Sequence, residues 1–338
     1  MSGGELLVFA LASSREFGQR VARALGVHLA DHEEREFEDG EFKARSLVPV
    51  RGDDVYVIHS LYGEPGASAA DKLLRLAFFV GALRDAGAGR VTAVTPYLAF
   101  SRKDRRTKNR DPVNTRYVAE VLEAVGTERI VTMDVHNDAA YENAFRIPAE
   151  HLELRPTLAE YVVRAHPSEE LAVVSPDAGG IKRAEALRRT LESMLDRPIG
   201  RAFCEKYRSE DVLSGSTFVG DVEGRVAVIL DDLIASGSTM ARATAACRTA
   251  GATTVIAAAT HGLFTGQAEN QLGDAPVEGL VVGDTVPPFR VAPDGPLGRK
   301  IVALPAHRVF AEAIGRLYQD RSLVELNDYP PGIAPGGD

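Results

Sequence analysis

The sequence predicts an α/β protein with two similar domains, each a mainly parallel sheet flanked by helices. Short β-branched apolar runs alternate with segments whose apolar residues recur at helical spacing. The strand candidates are apolar along most of their length, which is typical of strands covered on both faces. A chain of 338 residues also suits two cores better than one.

The strand candidates are rich in Val, Ile, Leu and Ala and are followed by polar residues. They are residues 6–11, 54–60, 90–97 and 129–136 in the first half, and residues 171–177, 225–232, 253–262 and 279–287 in the second. The helix candidates repeat apolar residues every three or four positions, and several end in glycine, as helix C-termini often do. They are residues 15–26, 70–87, 114–126, 180–195 and 239–251.

The domain boundary is predicted where the strand and helix alternation weakens, around residues 146–158. We therefore expect a first domain over residues 1–150 and a second over residues 151–320. The last segment, 321–338, ends in DYPPGIAPGGD and is poor in core-forming residues, so a flexible tail is expected there.

Composition excludes several functional classes. A net charge of −9 argues against a general nucleic-acid binder and against attraction to anionic membranes. No apolar run approaches the roughly 20 residues that a membrane helix needs. The amino terminus has no basic region before its short apolar stretch, so we expect a cytoplasmic protein. Cys204 and Cys247 form no CxxC pair, which excludes a disulfide framework and a cysteine-based zinc site.

Two adjacent carboxylates end the apolar run VAVIL, at Asp231 and Asp232. Desolvating a charge costs several kcal/mol, so sugar hydroxyls or a magnesium-bound water are expected to meet this pair. The next residues include Ser236, Ser238 and Thr239 around a glycine, and they open a helix whose N–H groups form a natural phosphate cradle. The alternative is a polar turn with an N-cap residue, which leaves one carboxylate unexplained.

A local basic cluster occupies SRKDRRTKNR, residues 101–110, where six of ten residues are Lys or Arg in an acidic protein. Arg102 and Arg105 are suited to bidentate binding of a triphosphate. The alternatives are a solvated helix face and a patch that contacts RNA. The chain carries no P-loop and no dinucleotide-binding glycine fingerprint, so nucleotide chemistry has to use other loops.

Several segments together resemble the ribose-phosphate pyrophosphokinases, also called phosphoribosyl pyrophosphate synthetases, whose two domains resemble type I phosphoribosyltransferases. The similar segments are REFEDGEFKAR, TPYLAFSRKDRR, TMDVHNDAAYENAF, VSPDAGGIKRAEAL, CEKYRSE and VAVILDDLIASGSTM. Their order and spacing hold from about residue 5 to about residue 318. The phosphoribosyltransferases share only the last of these segments.

The resemblance implies a role for each matching residue. ATP is expected at Phe37, Asp39, Glu41, Arg102, Lys103, Asp104, Arg105 and His136, the first three supplied by a neighbouring subunit. Ribose 5-phosphate is expected at Asp177, Asp231, Asp232, Ala235, Ser236, Gly237, Ser238 and Thr239. Lys206 and Arg208 are expected to be catalytic and to cover the reacting phosphates. Mg²⁺ is expected near His136 and Asp177, and a homo-oligomer, by resemblance a hexamer, is expected.

The implied reaction is transfer of the diphosphoryl group of ATP to the anomeric hydroxyl of ribose 5-phosphate, for nucleotide biosynthesis. Two alternatives stay open: a catalytically weak regulatory paralogue of such a synthetase, and a phosphoribosyltransferase. Three residues depart from the family pattern. Ala235 stands where most synthetases have Asp, Ser238 where glycine is usual, and Lys103 where Gln is usual.

Overall fold

The computed structural model describes residues 4–206 and 216–328, and it divides the chain into two compact units. The first unit runs to Glu153 and also includes Ala306–Asn327, while the second contains Leu154–Pro305. The α/β prediction is confirmed, because each unit holds a sheet of mainly parallel strands packed against helices.

The strands and helices follow in chain order. The strands are β1 Leu6–Ala10, β2 His32–Glu36, β3 Phe42–Ser46, β4 Asp54–Ile58, β5 Arg90–Thr95, β6 Arg129–Met133, β7 Ala149–Leu152, β8 Leu171–Ser175, β9 Gly200–Lys206, β10 Ser216–Gly220, β11 Val226–Ile234, β12 Thr254–Gly262, β13 Gly279–Gly283 and β14 Ile301–Leu304. The helices are α1 Arg15–Leu25, α2 Ala69–Asp85, α3 Asn114–Ala124, α4 Asp138–Ala144, α5 Arg155–Ala165, α6 Ile181–Leu195, α7 Ser238–Thr249, α8 Ala268–Gly273 and α9 Ala306–Tyr318.

The first unit is built on a five-stranded parallel sheet in the order β1, β4, β5, β6, β7. All five residues of β4 are buried, as expected for a central strand covered on both faces. Helix α2 begins at a capping box in which Ser68 and Asp71 each accept a backbone N–H bond from the other. Strands β2 and β3 form a separate antiparallel hairpin.

The second unit is built on a seven-stranded sheet in the order β10, β9, β8, β11, β12, β13, β14. The pairs are parallel except for β9 with β10. Strand β11 lies between β8 and β12, so its carboxyl end opens at the middle of the sheet. Ligands of open α/β sheets bind at this edge.

The predicted strands and helices all appear, although their ends differ by a few residues. Those missed are β2, β3, β7, β9, β10, β14, α4, α5, α8 and α9. The hairpin was missed because β2 reads HEERE and β3 reads FKARS, which lack a buried apolar face. Most of the other missed elements are short, and short segments give weak periodicity.

Helix α9 packs on α1 in the first unit, whereas the sequence-based boundary kept residues 306–320 with the second domain. The rings of Phe17 and Phe310 meet edge to face at 5.7 Å. The Tyr318 hydroxyl donates to the Gly4 carbonyl at 3.2 Å. The contacts of a terminal helix are not encoded in its own periodicity, which explains the different assignment.

Part of the predicted tail is ordered in the structure. Residues Val324–Asn327 form a 3₁₀ turn, and Leu326 is buried. Asn327 donates to the His151 carbonyl at 3.1 Å and accepts from the Glu153 N–H at 3.0 Å. The rest of the tail, residues 329–338, lies outside the described residues. Within the described part of the chain, no helix combines the length and the apolar character needed to span a bilayer.

Candidate active site

Two neighbouring carboxylates lie near the carboxyl end of β11. Asp232 is buried and Asp231 is half-buried, and the Asp232 N–H donates to Asp231 Oδ1 at 2.9 Å. Burial raises the pKa of Asp231 above its ordinary value, and the neighbouring Asp232 raises it further. A pair of this kind is stabilised by hydrogen-bond donors or cations, which a sugar or a metal complex supplies.

Arg183, in the first turn of α6, faces both carboxylates. Its Nη1 lies 3.5 Å from Asp232 Oδ1 and 3.8 Å from Asp231 Oδ1. The guanidinium lowers the pKa of Asp231, in opposition to burial and to Asp232. Sequence patterns alone do not identify this residue. Its only signal in the sequence is its place at the start of the helix that follows β8, which does not separate it from the other basic residues of α6.

The predicted phosphate turn connects β11 to α7. Gly237 has φ 80°, and a Cβ there would lie 2.7 Å from Leu272 Cγ, so both backbone and space favour glycine. The first helical bond runs from the Ala241 N–H to the Gly237 carbonyl at 2.9 Å, which leaves the preceding N–H groups without an intrahelical acceptor. Ser236 Oγ and Ser238 Oγ are exposed and 3.2 Å apart.

The turn is fixed from behind by the chain that follows β12. The Thr265 N–H donates to the Ala235 carbonyl at 2.9 Å, and the Leu263 N–H donates to the Ile234 carbonyl at 2.9 Å. Thr239 lies half-buried in the first turn of α7. Free N–H groups, hydroxyls and the positive end of a helix dipole together suit a phosphate.

Asp177 follows β8 and belongs to the same sheet edge as the carboxylate pair. Its Oδ1 accepts bonds from the N–H groups of Gly179 at 2.9 Å and Gly180 at 3.2 Å. Ser175 Oγ donates to the Asp177 carbonyl at 2.6 Å. Asp177 therefore caps the short 3₁₀ turn that leads into α6, the helix that carries Arg183. This is a structural role in addition to the predicted one.

The basic loop follows β5 in the first unit. Arg102 and Arg105 are exposed, and neither pairs with an acidic group in the described residues. Lys103 Nζ, by contrast, bonds to Asp111 Oδ2 at 2.5 Å and to Thr107 Oγ1 at 3.0 Å. The ammonium lowers the pKa of Asp111 below its ordinary range. The extra charge that Lys103 brings relative to the family pattern is thus balanced within the loop.

Asp104 connects this loop to the one after β6. The Asn137 side-chain amide donates from Nδ2 to Asp104 Oδ2 at 2.6 Å, and Asn137 Oδ1 accepts from the Ala140 N–H at 3.2 Å as the N-cap of α4. His136, the residue before, is exposed and lies three positions beyond the end of β6. The structure therefore brings Asp104 and the His136 segment together.

The three residues expected at a neighbouring subunit's ATP lie at the tip of the β2–β3 hairpin. The Phe37 N–H donates to the Glu41 carbonyl at 2.8 Å, and the Glu41 N–H donates to Asp39 Oδ1 at 3.1 Å. The Arg35 guanidinium lies 5.1 Å from the centre of the exposed Phe37 ring. Among the described residues, no hydrogen bond, ion pair or ring contact joins this tip to residues 102–105.

The two residues expected to be catalytic fall at the edge of the described structure. Lys206 is the last residue of β9. Arg208 lies outside the described residues, which resume at residue 216.

The donor set fits a magnesium ion carried by phosphate oxygens. The described residues contain no cluster of three or more His, Cys, Asp or Glu side chains able to hold a metal alone. Mg²⁺ in nucleotide enzymes uses one or two carboxylates, with phosphates and water completing its shell. Asp177 and the β11 carboxylates provide such oxygens. The imidazole of His136 is a poorer ligand for this ion.

Comparison with known proteins gives a consistent result. A sequence profile of the N-terminal domain of ribose phosphate pyrophosphokinase matches residues 6–126, and one of the phosphoribosyl synthetase-associated domain matches residues 209–327. Ribose-phosphate pyrophosphokinase 1 of Streptococcus pyogenes serotype M1 is 34% identical, covering 96% of this chain and 98% of the relative. Ribose-phosphate pyrophosphokinase 1 of Streptococcus mutans serotype c is 32% identical, covering 97% and 99%.

A solved structure is similar over nearly the whole chain. The phosphoribosylpyrophosphate synthetase of Mycobacterium smegmatis superposes with a TM-score of 0.83 at 30% identity. The match covers 94% of this chain and 99% of that one.

Proposed function

The chain belongs to the ribose-phosphate pyrophosphokinase family, and from this premise we propose that it makes 5-phosphoribosyl 1-pyrophosphate. The reaction transfers the diphosphoryl group of ATP to the anomeric hydroxyl of ribose 5-phosphate, and AMP is the second product. The oxygen of that hydroxyl attacks the β-phosphorus, and the bond between the α,β-bridging oxygen and the β-phosphorus breaks. The proton of the hydroxyl leaves to solvent or to a nearby base.

The observation that carries this proposal is the arrangement at the carboxyl end of β11. Asp231 and Asp232 are held by Arg183, and the N-terminus of α7 follows within six residues. The carboxylates can accept bonds from two ribose hydroxyls, while the N–H groups and hydroxyls of residues 236–239 can bind the 5-phosphate. A phosphorylated sugar satisfies both halves of the site, which a bare phosphate or a bare sugar does not.

ATP is assigned to the basic loop of the first unit. Arg102 and Arg105 are exposed and suited to bidentate phosphate binding, and the loop is connected to the His136 segment through Asp104 and Asn137. We assign Phe37, Asp39 and Glu41 to the nucleotide of a neighbouring copy, as the family resemblance implies, because the described residues show no contact between the hairpin tip and residues 102–105. The active enzyme in this proposal is a homo-oligomer.

Catalysis of this transfer depends mainly on positioning and on neutralising charge. When bound, magnesium supplies neutralisation of the phosphate oxygens. Asp231 and Asp232 orient the ribose so that its anomeric hydroxyl faces the β-phosphorus. Lys206 and Arg208 are assigned to the charge that develops on the transferring group, as the family resemblance implies.

Product analysis tests the proposal. The purified protein alone, with ATP, Mg²⁺ and ribose 5-phosphate, is expected to release AMP only when the sugar phosphate is present, and chelation of the metal is expected to stop the reaction. Release of AMP without the sugar phosphate would contradict it. Stimulation of an active synthetase by an otherwise inactive protein would favour the regulatory paralogue. Pyrophosphate release with a nucleobase and no ATP would favour the phosphoribosyltransferase.

The same assay addresses sugar choice. Ala235 removes a carboxylate beside the sugar, and Ser238 adds a side chain in the phosphate turn. Ribose 5-phosphate should therefore be compared with other pentose 5-phosphates at matched concentrations. We expect ribose 5-phosphate to remain the preferred acceptor, because both carboxylates that face its hydroxyls are retained.

A further inference from the structure

Asp111 is the hydrogen-bond acceptor on which the basic loop converges. Its Oδ2 accepts from the Lys108 N–H at 2.9 Å, the Thr107 N–H at 3.2 Å, Thr107 Oγ1 at 2.8 Å and Lys103 Nζ at 2.5 Å. Two of these donors are backbone groups and two are side chains. One carboxylate therefore fixes both the path of the loop and the position of a lysine within it.

The loop also contains backbone conformations that need support. Phe100 has φ 64° and Arg110 has φ 70°, so the residue before the basic cluster and the last residue of the cluster both adopt the left-handed region. Each costs on the order of 1 kcal/mol or more. The Asp111 N–H closes the turn on the Lys108 carbonyl at 3.2 Å. The bonds to Asp111 lie directly beside the strained Arg110.

The basic residues of the loop lie in two different environments. Lys103 points its ammonium at Asp111, whereas its neighbours Arg102 and Arg105 remain exposed. Asp104, between them, accepts the bond from Asn137. Of the three basic residues expected at ATP, the two arginines are thus exposed, and Lys103 is bonded within the loop.

We propose that Asp111 and Lys103 act together as positioning residues for ATP, holding Arg102 and Arg105 in place without themselves contacting the nucleotide. The inference rests on the proposed function and deepens it, because the sequence assigned Lys103 directly to ATP. It also explains a departure from the family pattern. A lysine replaces the usual glutamine here in a chain that provides an aspartate eight residues later to receive it.

A double-mutant cycle on ATP kinetics tests the pair. Asp111→Ala is expected to raise the KM for ATP about tenfold, since small misplacements of binding groups have effects of this size or larger. The KM for ribose 5-phosphate and kcat should stay within about twofold of wild type. Asp111→Asn, which keeps an acceptor oxygen, should restore part of the affinity.

Lys103→Met completes the cycle. If the two residues act as one unit, the double variant should be no worse than the more impaired single variant, because coupled residues are not additive. Lys108→Met is the matched control. It removes an equal charge from the same loop, but only the backbone N–H of Lys108 bonds to Asp111. Effects that multiply in the double variant would overturn the proposal and return Lys103 to direct nucleotide binding.

A second measurement does not depend on activity. Hydrogen exchange at the amides of Thr107 and Lys108 should become faster in ligand-free Asp111→Ala, whereas the Thr107 amide should exchange at its wild-type rate in Lys108→Met. Unchanged exchange in Asp111→Ala would overturn the positioning role even if ATP affinity fell. A wild-type protein that releases no AMP would refute the proposed function, while the exchange result would still decide whether Asp111 holds the loop.

Discussion

The side-chain amide of Asn137 donates to the carboxylate of Asp104 at 2.6 Å, which joins the loop after β5 to the loop after β6. Asn137 is also the N-cap of α4, so one short side chain serves a helix and a candidate nucleotide site. The two polar atoms of the amide have separate partners. The nitrogen donates to Asp104, and the oxygen accepts from the Ala140 N–H.

Asn137→Asp should separate the two roles. Aspartate is as good an N-cap as asparagine, but it replaces the donor to Asp104 with a second carboxylate. We expect the KM for ATP to rise about tenfold, because repulsion between the two carboxylates displaces the basic loop. The Tm should change little, because the N-cap is kept. Asn137→Ala should lose about 1 kcal/mol of stability as well, as lost caps do. Steady-state kinetics and thermal unfolding measure both effects, and a wild-type KM in Asn137→Asp would refute this role.

Arg183→Met should weaken binding of ribose 5-phosphate. Without the guanidinium, the pKa of Asp231 rises further, and the protonated carboxyl is a poorer acceptor for sugar hydroxyls. We expect the KM for ribose 5-phosphate to rise about tenfold at neutral pH, as for a lost hydrogen bond to a charged group. The defect should shrink as pH is raised, because the pair ionises again. Arg183→Lys keeps the charge and should be milder, and a defect independent of pH would contradict the electrostatic role.

Asp231→Asn should stabilise the fold in a pH-dependent way. The folded-state pKa of Asp231 is raised above its ordinary value of 3.8. The free-energy cost of burying its charge is therefore absent below that pH and grows as pH rises toward the folded-state pKa. The variant should therefore gain more in Tm at pH 8 than at pH 4.5, while losing affinity for the sugar phosphate. Equal Tm gains at both pH values would show that titration of Asp231 does not contribute.

Gly237→Ala should lower the free energy of unfolding more than Gly26→Ala does. Gly237 and Gly26 have similar positive φ angles, 80° and 73°, so both substitutions carry the backbone strain of roughly 1 kcal/mol. Only the Gly237 methyl group would also meet a neighbour, Leu272 Cγ at 2.7 Å. Denaturant unfolding should show a greater loss for Gly237→Ala, with weaker binding of ribose 5-phosphate. Equal losses of unfolding free energy in the two variants, with unchanged binding of ribose 5-phosphate, would contradict the steric explanation.

Arg208→Ala and Lys206→Ala should lower turnover far more than binding. A cation that contacts the transferring phosphoryl group in the transition state contributes on the order of a thousandfold in rate. We expect kcat to fall by about that factor, with both KM values within a few-fold of wild type. Arg201→Ala, at an exposed arginine in the strand that ends at Lys206, is the control. Unchanged turnover in both variants would remove the two residues from catalysis.

The sequence reveals a candidate site residue where the residue type is unusual for its own segment. Asp231 and Asp232 are charges at the end of a buried run, so the pattern identified them without any neighbour. Arg183 was invisible for the opposite reason, because α6 contains several other basic residues and only the packing of α6 beside β11 singles one out. Lys103 is predicted from the sequence to bind ATP, whereas its partner Asp111 follows from the fold of the loop and not from spacing.

Strands, too, can be predicted where their own residues carry the signal and are missed where pairing depends on the rest of the fold. The run DVYVI is buried at every position and was predicted as a strand from composition alone. The β2–β3 hairpin has no buried face of its own, so its pairing depends on geometry that a single-sequence pattern does not carry.

The return of α9 to the first unit has a consequence for biosynthesis. During translation, Phe17 and the rest of the α1 face emerge before the second unit is made, whereas Phe310 and Tyr318 emerge only after it. The first unit therefore cannot bury its α1 face natively until the second unit has been synthesised. A nascent chain stalled before residue 306 would leave that face uncovered.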